Sequence, residues 1–431
     1  CCMMSCSSLW KNVFCTSRSS GTVSGYFDLE RDKTDAVYTE LLQKATYEYF
    51  LIKGNEMLLN FHRTKLLQWQ PNSIVEYITM FDHFVNWQYE LLGLEDIRPA
   101  LFNNHVNGSS INDDSYMWAG NGQIGFGINA LDEFMPTEKL YTERRCWGPA
   151  HEIGHLHQGA IAWTGCFESS NNLFSNYVLY KIGRECSNGA PLSVLADRKL
   201  NNRPFCNFLG DPKKEDTEIH MRIYWQLWLY FHRCGIKSDF YPELFKKLRN
   251  NRNLNNIPVG ERQMLFVKYA SDIAQKNLAD FFDMFYIGEG ETQYGNLFEL
   301  YKKAKADGLS REEYTSKYPN PQPFYYIEDR KDGDAGLESL GLTGKIGDVG
   351  HYTQFKENQK ITRTPTYSTS GQQVTIINGN EAVAFEIWKD GKRKYFSNFL
   401  KFTLPDELPV SQCTIRAVQA DGKLITVERS K

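Results

Sequence analysis

No run of about 18 consecutive apolar residues occurs in the chain, so no segment is built to cross a membrane as a helix. Charge is not lopsided either: 49 Lys and Arg stand against 52 Asp and Glu, a formal net charge of −3. That balance supplies neither the basic face that nucleic acid requires nor an acidic solvating tail, so no nucleic-acid partner is expected. The ten cysteines contain no CxxC pair, which argues against a four-cysteine structural zinc site. No internal repeat of solenoid period is found. With these classes set aside, function has to be read from a local group of side chains. Aromatic residues are plentiful at 14%; cores absorb most of them, and a sugar- or peptide-binding cleft would use others.

A length of 431 residues exceeds one ordinary core, so two or three domains are expected. Residues 1–33 read as leader and linker. "CCMMSCSSLWKN" looks like the tail of an export signal and resembles a bacterial lipoprotein box in which Cys6 takes the lipid, and "TSRSSGTVSGYFDLE" is Ser/Gly-rich. The expectation is an exported protein, extracellular, periplasmic or held at the cell surface, with order beginning near Thr34. Helical spacing of apolar residues predicts helices over 34–63 and from the Asn72-Ser73 cap to about residue 95. Short apolar runs broken by Gly and Asn then predict a small sheet over 98–134, and amphipathic helices return over 216–235, 260–288 and 296–308. Pro and Gly concentrate near 335–350, where a domain boundary is expected. Beyond it, short alternating strands with Asp390-Gly391 and Asp421-Gly422 turns predict an antiparallel sandwich, either an accessory module that packs on the preceding domain or spaces it from a surface, or one that binds ligand directly. The expected fold is thus α+β: a catalytic domain over 34–340 and an accessory β-sandwich over 350–431, acting as a monomer.

The chemistry lies in "GPAHEIGHLHQGAIAWTGCFESSNN", residues 148–172. His151 and His155 are four apart, so on a helix both rings can meet one ion. Glu152 is rotated by about 100° from His151 and reaches past the metal, where a general base for the attacking water must stand. A catalytic zinc takes a third protein ligand, and the first carboxylate onward is Glu168, after a gap that suits a turn and a second helix; Glu185 ranks below it. A metzincin would need Gly at 158 and His at 161, where this chain has Gln158 and Ile161. Asn172 lies four after Glu168 and either orients a ligand imidazole or packs as an ordinary helix residue. His157 faces away from the pair, as a surface or packing histidine. Oxyanion donors are open among Tyr224, His220 and Tyr286. "WAGNGQIGFGIN" is either an edge strand that pairs with an extended substrate or a tight turn, and Trp118 and Trp163 are core residues or a sugar platform.

"WGPAHEIGHLHQ" followed by "WTGCFESSNNLFSNYV" resembles the enhancin-like, mucin-targeting gluzincin zinc metallopeptidases. The resemblance is specific over 147–178 and looser over about 35–335. It implies His151, His155 and Glu168 as ligands of one Zn2+, Glu152 as base, and heavily glycosylated proteins such as mucins as substrates. Two departures, Cys166-Phe167 before the glutamate and a "GNGQIGFG" strand without Tyr-Pro, bear on substrate preference and leave the ligand set intact. The expected activity is that of a zinc-dependent endopeptidase hydrolysing peptide bonds of glycoproteins of the mucin type; the alternatives are a glycan-binding, adhesin-like protein with a vestigial metal site and a general peptidase without glycan dependence.

Overall fold

In the computed structural model the described residues are 22–69, 73–95, 105–142, 145–162, 167–186, 217–256, 259–278, 281, 318, 326–330, 333–334, 336–347, 352–356 and 359–430. A six-stranded mixed sheet comes first, in the order β1-β2-β3-β4-β6-β5. Its strands are β1 (Gly25–Asp28), β2 (Tyr49–Lys53), β3 (Met57–His62), β4 (Val106–Ile111), β5 (Met117–Gly120) and β6 (Gln123–Gly127). β2 and β3 form an antiparallel hairpin, β3, β4 and β6 run parallel, and β5 returns antiparallel along β6 at the sheet edge.

Two expectations are corrected here. The helix predicted over 34–63 ends at Lys44: α1 (Asp35–Lys44) is capped by Thr34, whose hydroxyl accepts from the Val37 N–H, and the chain then enters β2 and β3. "YFLIK" and "MLLNFH" bury every second residue, a period of two that clustered apolar letters had disguised as helical. Order also begins before Thr34, because β1 pairs in parallel with β2. Phe27 drives this: it is fully buried, with its ring 5.7 Å from that of Tyr38.

The helices that build the site follow. α2 (Ile74–Leu91) starts at Ser73, whose hydroxyl accepts from the Glu76 N–H. α3 (Trp147–His157) lies beside β5, and α4 (Phe167–Ser170) and α5 (Asn172–Lys181) fold back against it. A helical lobe then comprises α6 (Thr217–Trp228), α7 (Phe240–Asn250) and α8 (Val259–Ala274). The helix expected over 296–308 lies outside the described residues.

The C-terminal part is two sheets, ordered β11-β10-β13-β14 and β15-β8-β9-β12-β7. They comprise β7 (Thr343–Lys345), β8 (Thr366–Ser370), β9 (Gln373–Ile377), β10 (Ala384–Lys389), β11 (Lys392–Ser397), β12 (Phe399–Thr403), β13 (Thr414–Val418), β14 (Leu424–Thr426) and β15 (Glu428–Arg429). Among the described pairs only β8 and β15 run parallel. Asp390 and Gly391 both take positive φ, 52° and 71°, as the two-residue β10–β11 hairpin requires. β7 falls inside the stretch expected to be a boundary, yet it pairs with β12, so the sandwich begins by Thr343. Its core is continuous with that of the helical lobe, where the Tyr230 and Phe355 rings lie 5.9 Å apart. Between packing on the preceding domain and spacing it from a surface, the continuous core corresponds to packing.

Candidate active site

α3 places the two histidines. Pro149 is accommodated in its first turn, where the missing N–H has no helical acceptor to satisfy. The His151 and His155 rings meet edge to face with centroids 4.8 Å apart. α4 brings the third group: Glu168 Oε2 lies 3.1 Å from His151 Nε2 and 3.5 Å from His155 Nε2. One ligand atom from each of His151, His155 and Glu168 falls within 4.8 Å of the other two. Glu185 is exposed and outside this group.

α3 is held from both sides. From α2, Gln88 donates from Nε2 to the Ala150 carbonyl at 2.8 Å, and its Oε1 lies 2.7 Å from His157 Nδ1. His157 is thereby a packing residue, and burial lowers its pKa to about 4, so it is neutral near pH 7. From the other side, Gly154 lets α5 approach: a Cβ there would stand 3.0 Å from the Asn171 carbonyl oxygen.

Asn172 is the orienting residue that helical spacing allowed. Its Oδ1 lies 2.8 Å from His151 Nδ1, and its amide donates to the Glu168 carbonyl at 2.8 Å, which fixes which amide atom faces the ring. Three further residues were not singled out for this role in the sequence. Gln158 Nε2 is 2.7 Å from His155 Nδ1, the Ser170 hydroxyl is 2.6 Å from Gln158 Oε1, and Asn171 Nδ2 is 2.9 Å from His155 Nε2. The contact of Gln158 with His155 is an i, i+3 neighbour on one helix and could have been found; those of Ser170 and Asn171 depend on how α4 folds back.

The electrostatics suit a cation. Hydrogen bonds from His151 and His155 hold the Glu168 carboxyl well below the usual carboxylate range, against the opposing effect of burial. Burial disfavours a charged His151, but Glu168, Glu152 and Asn172 together raise its pKa. Glu152 is 6% exposed; burial raises its pKa while His151 and His155 pull it down. Its Oε2 has no hydrogen-bond partner among the described residues. Two imidazoles and a carboxylate form the donor set of a catalytic zinc, and an unsatisfied buried carboxylate oxygen beside them is what a general base awaiting its proton looks like, so the residues fit such an ion.

These groups open on a cleft of about 520 Å³ lined by β5 residues Met117, Trp118 and Ala119, and by Glu152, His155, Gln158, Ala162, Phe167 and Glu168. β5 is an edge strand, and a tight turn at Asn121-Gly122, with φ of 51° and 74°, joins it to β6, so the stretch holds both features. Trp118 lies across Gly125 of the paired strand, where a Cβ would fall 2.0 Å from its ring. Phe167 is 44% exposed beside Glu168. Tyr224 is fully buried and does not line the cleft; Trp163, Tyr286 and the side chain of His220 lie outside the described residues.

The peptidase M60 model, enhancin and enhancin-like, matches residues 29–286. The chain belongs to this family. The M60 C-terminal domain model matches residues 364–426, within the sandwich. A metallopeptidase from Bacteroides thetaiotaomicron is 42% identical, with a TM-score of 0.77 over 95% of this chain and 71% of that one. A metallopeptidase in complex with Tn antigen is 43% identical, with a TM-score of 0.79 over 95% of this chain and 78% of that one. The M60 catalytic domain of Clostridium perfringens ZmpC, in complex with the sialyl T antigen, is 18% identical with a TM-score of 0.62 over 94% of this chain and 76% of that one, a likeness of fold. None of the curated proteins matches. A model for the N-terminal part of radical SAM proteins matches residues 270–327, of which the described ones lie outside the group formed by His151, Glu152, His155 and Glu168.

This M60 chain is therefore a metallopeptidase with the expected architecture: a mixed α and β catalytic fold followed by a sandwich. The family implies a metal ion, and within the described residues the group formed by His151, His155 and Glu168 is where one fits.

Proposed function

We propose that the protein is a zinc-dependent endopeptidase that hydrolyses peptide bonds of glycoproteins carrying mucin-type O-glycans. The observation that carries the reading is Glu152, a residue that lines the cleft with His155 and Glu168 and has one buried carboxylate oxygen without a hydrogen-bond partner among the described residues. His151, His155 and Glu168 would hold the ion, which supplies Lewis acidity: it lowers the pKa of the attacking water toward neutrality and polarises the scissile carbonyl. Glu152 accepts the proton of that water at Oε2 and passes it to the amide nitrogen as the C–N bond breaks. Asn172 holds the His151 ring. The β5 edge offers backbone groups to an extended peptide, and the exposed faces of Trp118 and Phe167 suit apolar contact with sugar or side chain.

Support for a glycosylated substrate comes from the 43% identical metallopeptidase, whose complex is with Tn antigen. A substrate of this class is met outside the cytoplasm, in keeping with export and with Cys6 as a lipid anchor. The test is incubation with mucin-type glycopeptides and their unglycosylated counterparts, alongside Glu152→Ala. Cleavage of the glycosylated set alone, abolished by the substitution, is expected. Equal cleavage of both sets would leave a general peptidase, and cleavage that survives Glu152→Ala would remove the mechanism. An adhesin-like binder with a vestigial site would cut neither set, and the intact Glu152 speaks against it.

A further inference from the structure

We propose that Gln158 is a positioning residue for His155: its amide oxygen accepts the ring Nδ1–H and so fixes the tautomer whose Nε2 lone pair faces Glu168, while Ser170 holds the amide. The inference rests on the reading of His151, His155 and Glu168 as zinc ligands. Nε2 is the His155 nitrogen turned toward Glu168, 3.5 Å from Oε2. Ligation through Nε2 leaves the ring proton on Nδ1, and a ligand imidazole needs an acceptor there to fix its orientation. The group at Nδ1 is the Gln158 amide, at 2.7 Å.

Which amide atom belongs there follows from counting. A neutral imidazole has one N–H and one lone pair. In the structure each ring nitrogen of His155 is faced by an amide nitrogen, Gln158 at Nδ1 and Asn171 at Nε2, the latter at 2.9 Å. One lone pair cannot accept from both, so one amide must present its oxygen instead. Asn171 Nδ2 also lies 3.4 Å from the His151 carbonyl, an acceptor that favours nitrogen at that position and that remains to it when an ion takes the His155 Nε2 lone pair. Gln158 has no such constraint. Its other terminal atom meets the Ser170 hydroxyl at 2.6 Å, and a hydroxyl donates or accepts as required. Rotating the amide by half a turn keeps both contacts: Oε1 accepts from Nδ1–H, and Nε2 donates to Ser170 Oγ. His155 then has the same support that Asn172 gives His151, an amide oxygen behind the ring with its orientation set by a neighbouring polar group.

The alternative for a residue only 2% exposed is that Gln158 simply packs. The two roles rank substitutions in opposite order. For packing, Gln158→Leu is the mild change, and Gln158→Glu buries a charge and is the severe one. For positioning, Glu retains an acceptor toward Nδ1–H and Leu removes it.

The test is zinc titration of the purified full chain in competition with a chromogenic chelator, with zinc-free thermal unfolding to check folding. Gln158→Leu is expected to weaken zinc binding about 10- to 100-fold, and Gln158→Glu to bind at least as tightly as wild type. Leu at parity with wild type, or Glu weaker than Leu, overturns the proposal. If Gln158→Leu does not fold, Ser170→Ala decides: weaker zinc binding supports the proposal, and unchanged binding overturns it. Failure of wild type itself to take up one zinc per chain would instead sink the metal reading, with Glu168→Gln as the control that separates the two.

Discussion

At the scale of the residue, Glu152 separates an enzyme from a binder, because holding an ion needs His151, His155 and Glu168 but not a base beside them. Glu152→Gln keeps the size and removes the proton acceptor. Turnover of a glycopeptide should therefore fall by about 10²- to 10⁴-fold, while zinc stoichiometry, read by metal analysis, stays at wild type. If metal content falls with activity, Glu152 is holding the ion and not the proton. The juxtaposition of the four residues was legible in the sequence because three of them share one helix and Glu168 was the next carboxylate. Ser170 and Asn171 were not legible, since their contacts with Gln158 and His155 exist only once α4 lies against α3. Tyr224 was a reasonable oxyanion candidate by residue type, but burial removes it from the cleft. Sequence carries residue type and helical phase; it does not carry which side chains a returning segment will cover.

At the scale of the element, the site depends on how closely α3 and α5 approach and on how firmly the sheet is anchored. Gly154 governs the first. Ala is the better helix former by roughly 1 kcal/mol, yet its Cβ would press on the Asn171 carbonyl and on the Phe174 Cβ, 3.0 and 3.3 Å away. Gly154→Ala should leave overall stability within about 1 kcal/mol of wild type and reduce kcat/KM, by up to about 10²-fold per ångström that Glu168 and its neighbours are displaced. Wild-type kinetics in this variant would show that the close approach is not needed. Asp82 governs the second: it accepts from the Asn55, Glu56 and Met57 N–H groups at 2.7, 2.8 and 2.9 Å, and no side chain fits at Gly54 between them. Asp82→Ala leaves those donors unpaired and should cost roughly 2–5 kcal/mol in urea unfolding. A cost under about 0.5 kcal/mol would mean that water replaces the carboxylate. This hairpin is also where the helical expectation failed. Its strands bury alternate residues, and β3 pairs with β4, about fifty residues further along the chain; that pairing, more than local propensity, decides the conformation.

At the scale of the whole molecule, the sandwich is joined to the helical lobe through buried charge as well as apolar packing. Glu328 is fully buried and meets Arg222 of α6 at 3.1 Å, Arg330 at 3.3 Å, Lys345 of β7 at 3.8 Å and the Asn398 amide at 3.0 Å. Gln226 of α6 adds a bond to the Ile327 carbonyl at 2.9 Å. Burial raises the cost of the Glu328 charge, but the three cations and Asn398 outweigh it and keep its pKa below the ordinary value. Lys345 goes the other way: burial dominates over Glu328 and lowers its pKa from 10.5 to about 8. Both pKa values fall, which favours the charge on Glu328 and disfavours it on Lys345. Glu328→Gln strands its cations and should destabilise by about 3–5 kcal/mol. Lys345→Met leaves Glu328 with two arginines and should be near neutral at pH 7. The pH dependence separates Lys345 from a merely structural role. Between about pH 8 and 10.5 the unfolded chain still holds the Lys345 proton that the folded chain has released, so stability from this group rises with pH, by at most about 1.4 kcal/mol per unit. Buried tyrosines such as Tyr230, whose pKa is raised by burial, act oppositely above about pH 10, because the unfolded chain ionises first. The range used is therefore pH 8 to 9.5, where thiols such as Cys413, raised by burial, also titrate and are cancelled by comparison with the variant. Urea unfolding of wild type and Lys345→Met across it should show a more positive slope of stability against pH in wild type. Equal slopes would mean that Lys345 stays charged in the folded protein, held by Glu328, and that the junction is a full ion pair on both sides.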